Sequence, residues 1–193
     1  MRKATSSRKT TETEINIILD LDGSGKNKIS TGIGFFDHLL CNFSKHSLID
    51  LEINAKGDLE VDMHHTIEDI GLVLGEAIDK ALTNKKIVRM TSICVPMDDA
   101  LSCIYIDISG RPYLKYDAKF KYDKIGELRP ELLEHFFRSI TQTAKLNLHI
   151  KVEYGEDDHH KAESMFKAFA KALRTAITVD ERLESVPSTK GKL

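Results

Sequence analysis

Two hydrophobic periods alternate along this chain, and the whole alternation occurs twice. Apolar side chains dominate the short run from Ile15 to Gly23, and the run from Cys103 to Gly110 repeats it; both end in glycine and predict strands. Leu48 to Ala55 and Leu146 to Tyr154 form a second such pair. Helical periods accompany them: Ile67, Ile70, Leu74 and Ile78 in the first half, and Met165, Phe169, Ala172, Leu173 and Ala176 in the second. Each is an apolar stripe suited to lie against a sheet. Pro130 ahead of Glu131 fits the first turn of another helix, where its missing N–H costs nothing. Each half therefore reads as strand, second strand, helix, strand, helix. The expected fold class is α/β, in an α+β two-layer form, with two similar half-domains sharing one core.

The polar positions repeat as well. His64-His65-x-x-Glu68 and His159-His160-x-x-Glu163 begin 95 residues apart (159 minus 64), about half of the 193-residue chain. Upstream of each lies a single histidine on an apolar background, His38 beside Phe35-Phe36 and His135 beside Phe136-Phe137, at an offset of 97 (135 minus 38). The glycines that close the first strands are 87 apart (110 minus 23), so small loop insertions in one diverged repeat explain the drift. On a helix, residues i and i+4 lie on one face. His64 with Glu68, and His159 with Glu163, can then each grip one cation. The second histidine of each pair is turned by about 100° around the helix and points at something else. Imidazole and carboxylate without thiolate suit Mn, Fe, Zn or Co, and donor softness does not choose among them. A lone histidine is ordinarily a packing residue, but six of the eight histidines fall into two matched sets of three.

Composition narrows the setting. With 41% hydrophobic residues the chain can bury a substantial core unaided. A net charge of −2 gives no reason to expect nucleic acid or a membrane surface as partner. No apolar run approaches the roughly 20 residues of a membrane span, and no signal-peptide-like stretch opens the sequence, so a cytoplasmic location is expected. Met1 to Thr11, rich in basic and hydroxyl residues, reads as a short solvated arm. Cys41, Cys94 and Cys103 form no metal-type pair and read as small buried hydrophobes in a reducing compartment. Arg89, Arg111 and Lys190 are scattered cations that would be surface charges in isolation.

Further residues complete a pattern. Glu12-Thr13, the stretch from Thr31 to Leu40, Lys45-His46, Asp62 to Asp69, Val95 to Leu101, Ser109-Gly-Arg-Pro112, His135-Phe-Phe, the second His-His-x-x-Glu and the closing Pro187-Ser-Thr-Lys-Gly-Lys together resemble the imidazoleglycerol-phosphate dehydratases of histidine biosynthesis. The resemblance runs from about residue 8 to 193 and departs only at apolar or glycine positions, Gly34 and Phe36. It implies a duplicated half-domain of the ribosomal protein S5 domain 2-like type. The pseudo-repeats would be about 8–90 and 91–185, followed by a phosphate-binding tail at 186–193. It implies two Mn ions per active site and a homo-oligomer of 24 subunits. The implied metal ligands are His38, His64, His65, Glu68, His135, His159, His160 and Glu163. Implied phosphate contacts are Arg89, Arg111, Ser188 and Lys190. Glu12, His46, Asp98, Glu163 and Lys167 fall near the chemistry, and His38, His64, His159, Glu12 and Lys167 would also touch substrate.

Two cations suit the reaction this resemblance implies. The hydroxyl to be lost is on the carbon attached to the imidazole, and the proton to be lost is on the next carbon and is not acidic. An imidazole bridging two Lewis acids can ionise and expel the hydroxyl. A carboxylate, Glu163 or Glu12, can then take the neighbouring proton. A two-metal hydrolase and a non-enzymatic metal-binding assembly protein are the alternatives. Storage has no use for phosphate anchors, and a hydrolase has none for a ligand set symmetric about an imidazole.

Overall fold

The computed structural model describes residues 2–191 and 193. Each half of the chain forms a four-stranded sheet covered on one face by two helices, and the halves meet helix to helix. The first half comprises β1 (Lys3–Lys9), β2 (Thr13–Asp20), β3 (Asn27–Ser30), α1 (Gly34–Ser47), β4 (Asp50–Gly57) and α2 (His64–Ala81). The second repeats the order with β5 (Met90–Met97), β6 (Ala100–Asp107), β7 (Tyr113–Asp117), α3 (Glu131–Ala144), β8 (Asn147–Tyr154) and α4 (Asp158–Ala176). Strand orders are β1-β2-β4-β3 and β5-β6-β8-β7, each with a parallel pair, β3 with β4 and β7 with β8. The two-layer class and the duplication read from the sequence hold, with one more strand at the head of each half.

The segment read as a solvated arm contains β1, in register with β2 from Lys3↔Asp20 to Lys9↔Glu14. It escapes apolar periodicity because it is an edge strand whose one fully buried side chain, Ser6, is polar and donates to Glu76. The cysteines are not all inert hydrophobes. Cys94 and Cys103 oppose each other across β5 and β6 and are joined in a disulfide. That pairing is invisible until β5 is recognised as a strand.

Alternation along β2 buries Ile15, Ile17 and Leu19 and exposes the residues between them. In the core between the sheets, Phe36 packs edge-on to Phe136 at 5.3 Å, while Phe166 lies 5.6 Å from Phe136 and 5.1 Å from Phe137. Helix α1 rests on α4, with Phe43 stacked on Phe169 at 5.4 Å, and α2 rests on α3. These crossed pairings bring opposite halves together and decide which histidines can meet.

Gly71 and Gly75 allow α2 to approach α3 closely. A Cβ on Gly75 would sit 2.6 Å from the Ile140 carbonyl oxygen and 2.9 Å from the Ala144 nitrogen, backbone atoms that cannot rotate away. Alanine there gains about 1 kcal/mol of helix propensity, whereas overpacking costs about 1–3 kcal/mol. Gly75→Ala is therefore expected to lower the thermal midpoint by about 2–4 °C. A melt that moves upward would show that α2 and α3 can separate cheaply.

Candidate active site

Both His-His pairs open a helix. Asp62 accepts from the His64 N–H at 2.7 Å and Asp157 from the His159 N–H at 2.7 Å, so the acid two residues upstream fixes the first turn in each repeat. That turn places His64 over Glu68, with Nε2 3.1 Å from Oε2, and His159 over Glu163, with Nε2 2.9 Å from Oε1. Each pair then receives the lone histidine of the opposite half. His38 on α1 reaches Glu163 Oε1 at 2.7 Å, and the His135 ring on α3 lies 4.5 Å from that of His64. The ligand atoms of His38, His159 and Glu163 all lie within 4.8 Å of one another, an arrangement able to close on a single cation.

Glu163 is buried, and burial alone would raise its pKa. The Lys167 ammonium at 2.5 Å and the rings of His38 and His159 outweigh this and hold it at about 2. His46, on the last turn of α1, sits among Lys167, Lys171 and Glu163; burial first and the two lysines next push its pKa down.

The second histidines point away from these clusters, as the 100° turn requires. His65 Nδ1 is 3.0 Å from Asp58 Oδ2 and 3.7 Å from Glu12 Oε2. His160 Nδ1 is 2.6 Å from Asp99 Oδ1, while its Nε2 is 3.6 Å from Asp98. The hydrogen bonds to Asp58 and Asp99 raise the pKa of the two rings. Asp58 and Asp99 were not legible as site residues. The signal for Asp99 was present in the two-residue turn Asp98-Asp99 between β5 and β6, but of the two it is Asp99 that bonds the ring.

A second, basic cluster gathers the scattered cations. Arg89, Arg111, Ser188 and Lys190 line one cavity under the C-terminal tail. Arg89 is held by Asp107 through a two-point contact, Nε to Oδ1 at 2.7 Å and Nη2 to Oδ2 at 3.1 Å, and its Nη1 donates to the Pro187 carbonyl at 2.6 Å. One arginine thus ties the tail over the cavity, leaving Arg111 and Lys190 as its freer cations. This cluster is remote from the histidines. The Arg89 N–H donates to the carbonyl of Ala176, the last residue of α4, whereas His159 and His160 occupy its first turn. Sixteen residues of helix separate His160 from Ala176 (176 minus 160), roughly 24 Å at 1.5 Å per residue.

The family model for imidazoleglycerol-phosphate dehydratase matches residues 31–173. The chain belongs to the imidazoleglycerol-phosphate dehydratase family. It is 54% identical over 193 residues to the imidazoleglycerol-phosphate dehydratase of Acetivibrio thermocellus, covering 100% of this chain and 99% of that one. Identity to the enzyme of the same name from Clostridium kluyveri is 51% over 194 residues, with 100% of both chains covered. The crystal structure of imidazoleglycerol-phosphate dehydratase from Staphylococcus aureus superposes with a TM-score of 0.84 at 38% identity, over 92% of this chain and 99% of that chain. That from Pyrococcus furiosus, in complex with (S)-C348, gives 0.85 at 37% identity, over 97% and 99%. Within this dehydratase fold, the duplicated helices supply the histidine clusters at one end, and the tail supplies the basic cluster at the other.

Proposed function

We propose that this chain is a lyase that dehydrates imidazoleglycerol phosphate to imidazole-acetol phosphate in histidine biosynthesis, with two Mn ions per active site. The observation that carries this reading is the crossed geometry: each His-x-x-x-Glu pair of one repeat faces the lone histidine of the other. Two imidazole and carboxylate sets, one from each crossed pairing, suit a substrate whose ring presents two nitrogen donors. His38, His159 and Glu163 would hold one ion, and His64, His135 and Glu68 the other; His65 and His160 would complete sets on neighbouring subunits. Ions held there would supply Lewis acidity to the substrate imidazole, beside the hydroxyl to be lost.

The protein's own groups divide the remaining work. Glu163, fixed as a carboxylate with a pKa near 2, is a poor proton acceptor and a good ligand. Glu12, half exposed beside His65, is better placed to take the proton from the neighbouring carbon. Lys167 and His46 surround Glu163 and would position the reacting end of the substrate. Arg111, Lys190 and Ser188 would receive the phosphate, with Arg89 holding the tail closed.

The separation between clusters bears on assembly. A three-carbon chain cannot stretch along the length of α4, so the histidines and the phosphate cradle of one subunit cannot share a substrate. The active site in this reading is built between copies, in a homo-oligomer of 24 subunits. A cytoplasmic location, where the Cys94–Cys103 pair meets reducing thiols, belongs to the same proposal.

The test is incubation with imidazoleglycerol phosphate and Mn, reading the enolised product at alkaline pH, together with elemental analysis. Product formation and about two ions per chain are expected from eight nitrogen and oxygen ligands. Arg111→Ala should raise KM by about tenfold or more while leaving metal content intact, since a guanidinium recognises phosphate and repels cations. Absence of product in metal-loaded protein would overturn the activity. Metal loss in Arg111→Ala with normal KM would overturn the assignment of the cradle.

A further inference from the structure

We infer that Asp58 and Asp99 are positioning residues that set the tautomer of His65 and His160, and that the two repeats accomplish this with different degrees of constraint. The inference rests on the proposed metal reading for its consequence, though not for its geometry. An imidazole that donates Nδ1–H to a carboxylate keeps its Nε2 lone pair free for a cation, and the partner also fixes the plane of the ring. Both second histidines show this contact, Nδ1 to Oδ2 of Asp58 at 3.0 Å and Nδ1 to Oδ1 of Asp99 at 2.6 Å.

The two carboxylates come from different parts of the repeat. Asp58 follows β4 and lies seven residues before His65 (65 minus 58), on the connection into the same helix. Asp99 lies in the β5–β6 turn, 61 residues before His160 (160 minus 99). Each arrives at the same ring nitrogen, so the contact has been built twice on non-equivalent positions. Packing alone gives no account of such a coincidence, whereas a common requirement for a free Nε2 does.

Their other oxygens differ. Asp99 Oδ2 accepts from two backbone N–H groups, Glu156 at 2.5 Å and Asp157 at 2.9 Å. Two fixed donors on one oxygen hold the carboxylate in one orientation. An asparagine at 99 must place its carbonyl oxygen there, which turns its NH2 toward His160 Nδ1. The ring must then accept at Nδ1 and carry its proton on Nε2, losing the lone pair a cation needs. Asp58 has no such restraint, because its Oδ1 is buried without a hydrogen-bond partner. An asparagine at 58 can keep its carbonyl toward His65 and preserve the tautomer.

The experiment compares wild type, Asp99→Asn, Asp58→Asn and Asp58→Ala. Solid-state 15N spectra of histidine-labelled, metal-free protein at alkaline pH read the tautomers, and Mn(II) titration followed by electron paramagnetic resonance reads affinity. In Asp99→Asn one histidine should move from the Nδ1–H to the Nε2–H form, with Mn affinity at the affected site lowered by about 10–100-fold. Asp58→Asn should keep the wild-type tautomers and lose less affinity. Asp58→Ala, which breaks no other side-chain hydrogen bond of that residue, should lower affinity by about tenfold through ring freedom. Wild-type tautomers and Mn affinity in both Asp99→Asn and Asp58→Ala would overturn the inference. If wild type itself fails to bind Mn, the metal reading falls, while the tautomer comparison still decides whether Asp99 sets the ring.

Discussion

Glu163→Gln is expected to remove both the metal and the activity. Its carboxylate accepts from His38 and His159 through Oε1 and from Lys167 through Oε2, so three elements of function converge on one side chain. Glutamine has nearly the same shape and carries no charge. The proposed cation site of His38, His159 and Glu163 would lose its anionic ligand, and several kcal/mol of Lewis-acid stabilisation corresponds to about a thousandfold or more in rate. Lys167, largely buried, is left without a counter-charge, which costs about 3 kcal/mol of folding stability. The pH dependence gives an independent check on metal-free protein. A carboxylate held at about 2 against an ordinary 4.5 contributes stability that is full above 4.5 and is lost as pH falls toward 2. Wild type and Glu163→Gln should therefore differ in thermal midpoint at neutral pH and converge in acid. A variant that keeps Mn and turns over at more than about a tenth of the wild-type rate would remove Glu163 from the ligand set.

How much of this was legible in the sequence depended on the distance over which each signal acts. The His-His-x-x-Glu motifs are local, and a helix with 3.6 residues per turn dictates which side chains share a face, so the pairs His64 with Glu68 and His159 with Glu163 followed directly. The partner of each pair did not follow. His38 joins the distant His159 and Glu163, rather than the nearer His64, because α1 packs on α4. No periodicity within one repeat encodes that crossing. Edge strands were the other blind spot. β1 shows few buried apolar residues, and β5 is interrupted by Pro96, so hydrophobic alternation undercounted both hairpins and with them the Cys94–Cys103 bond. Asp99 was hidden for the same reason, since its role depends on the turn between β5 and β6.

Two impaired variants should restore each other when assembled into the same particle and assayed at a substrate concentration below the wild-type KM. Glu163→Gln would disable a histidine cluster at the N-terminal end of α4, and Arg111→Ala the proposed phosphate cradle near its C-terminal end. Were both ends of one active site drawn from one subunit, a mixed particle would contain only damaged sites. In the proposed arrangement the roughly 24 Å of helix from His160 to Ala176 is too long for a substrate with a three-carbon chain to span within one subunit. With the ends drawn from different subunits, random mixing in equal amounts gives about one site in four with both ends intact, because the two contributions are independent in a symmetric assembly. Co-expression of the two variants with different affinity tags, followed by sequential purification on both, isolates the mixed species. Activity near a quarter of wild type per subunit, with each parent at about a tenth or less, is the expected result. Mixed particles of full mass that are no more active than their parents would place both ends of the site within one chain. The distance between Arg111 and His160 would then have to close by a large rearrangement of the β5–β6 sheet against α4.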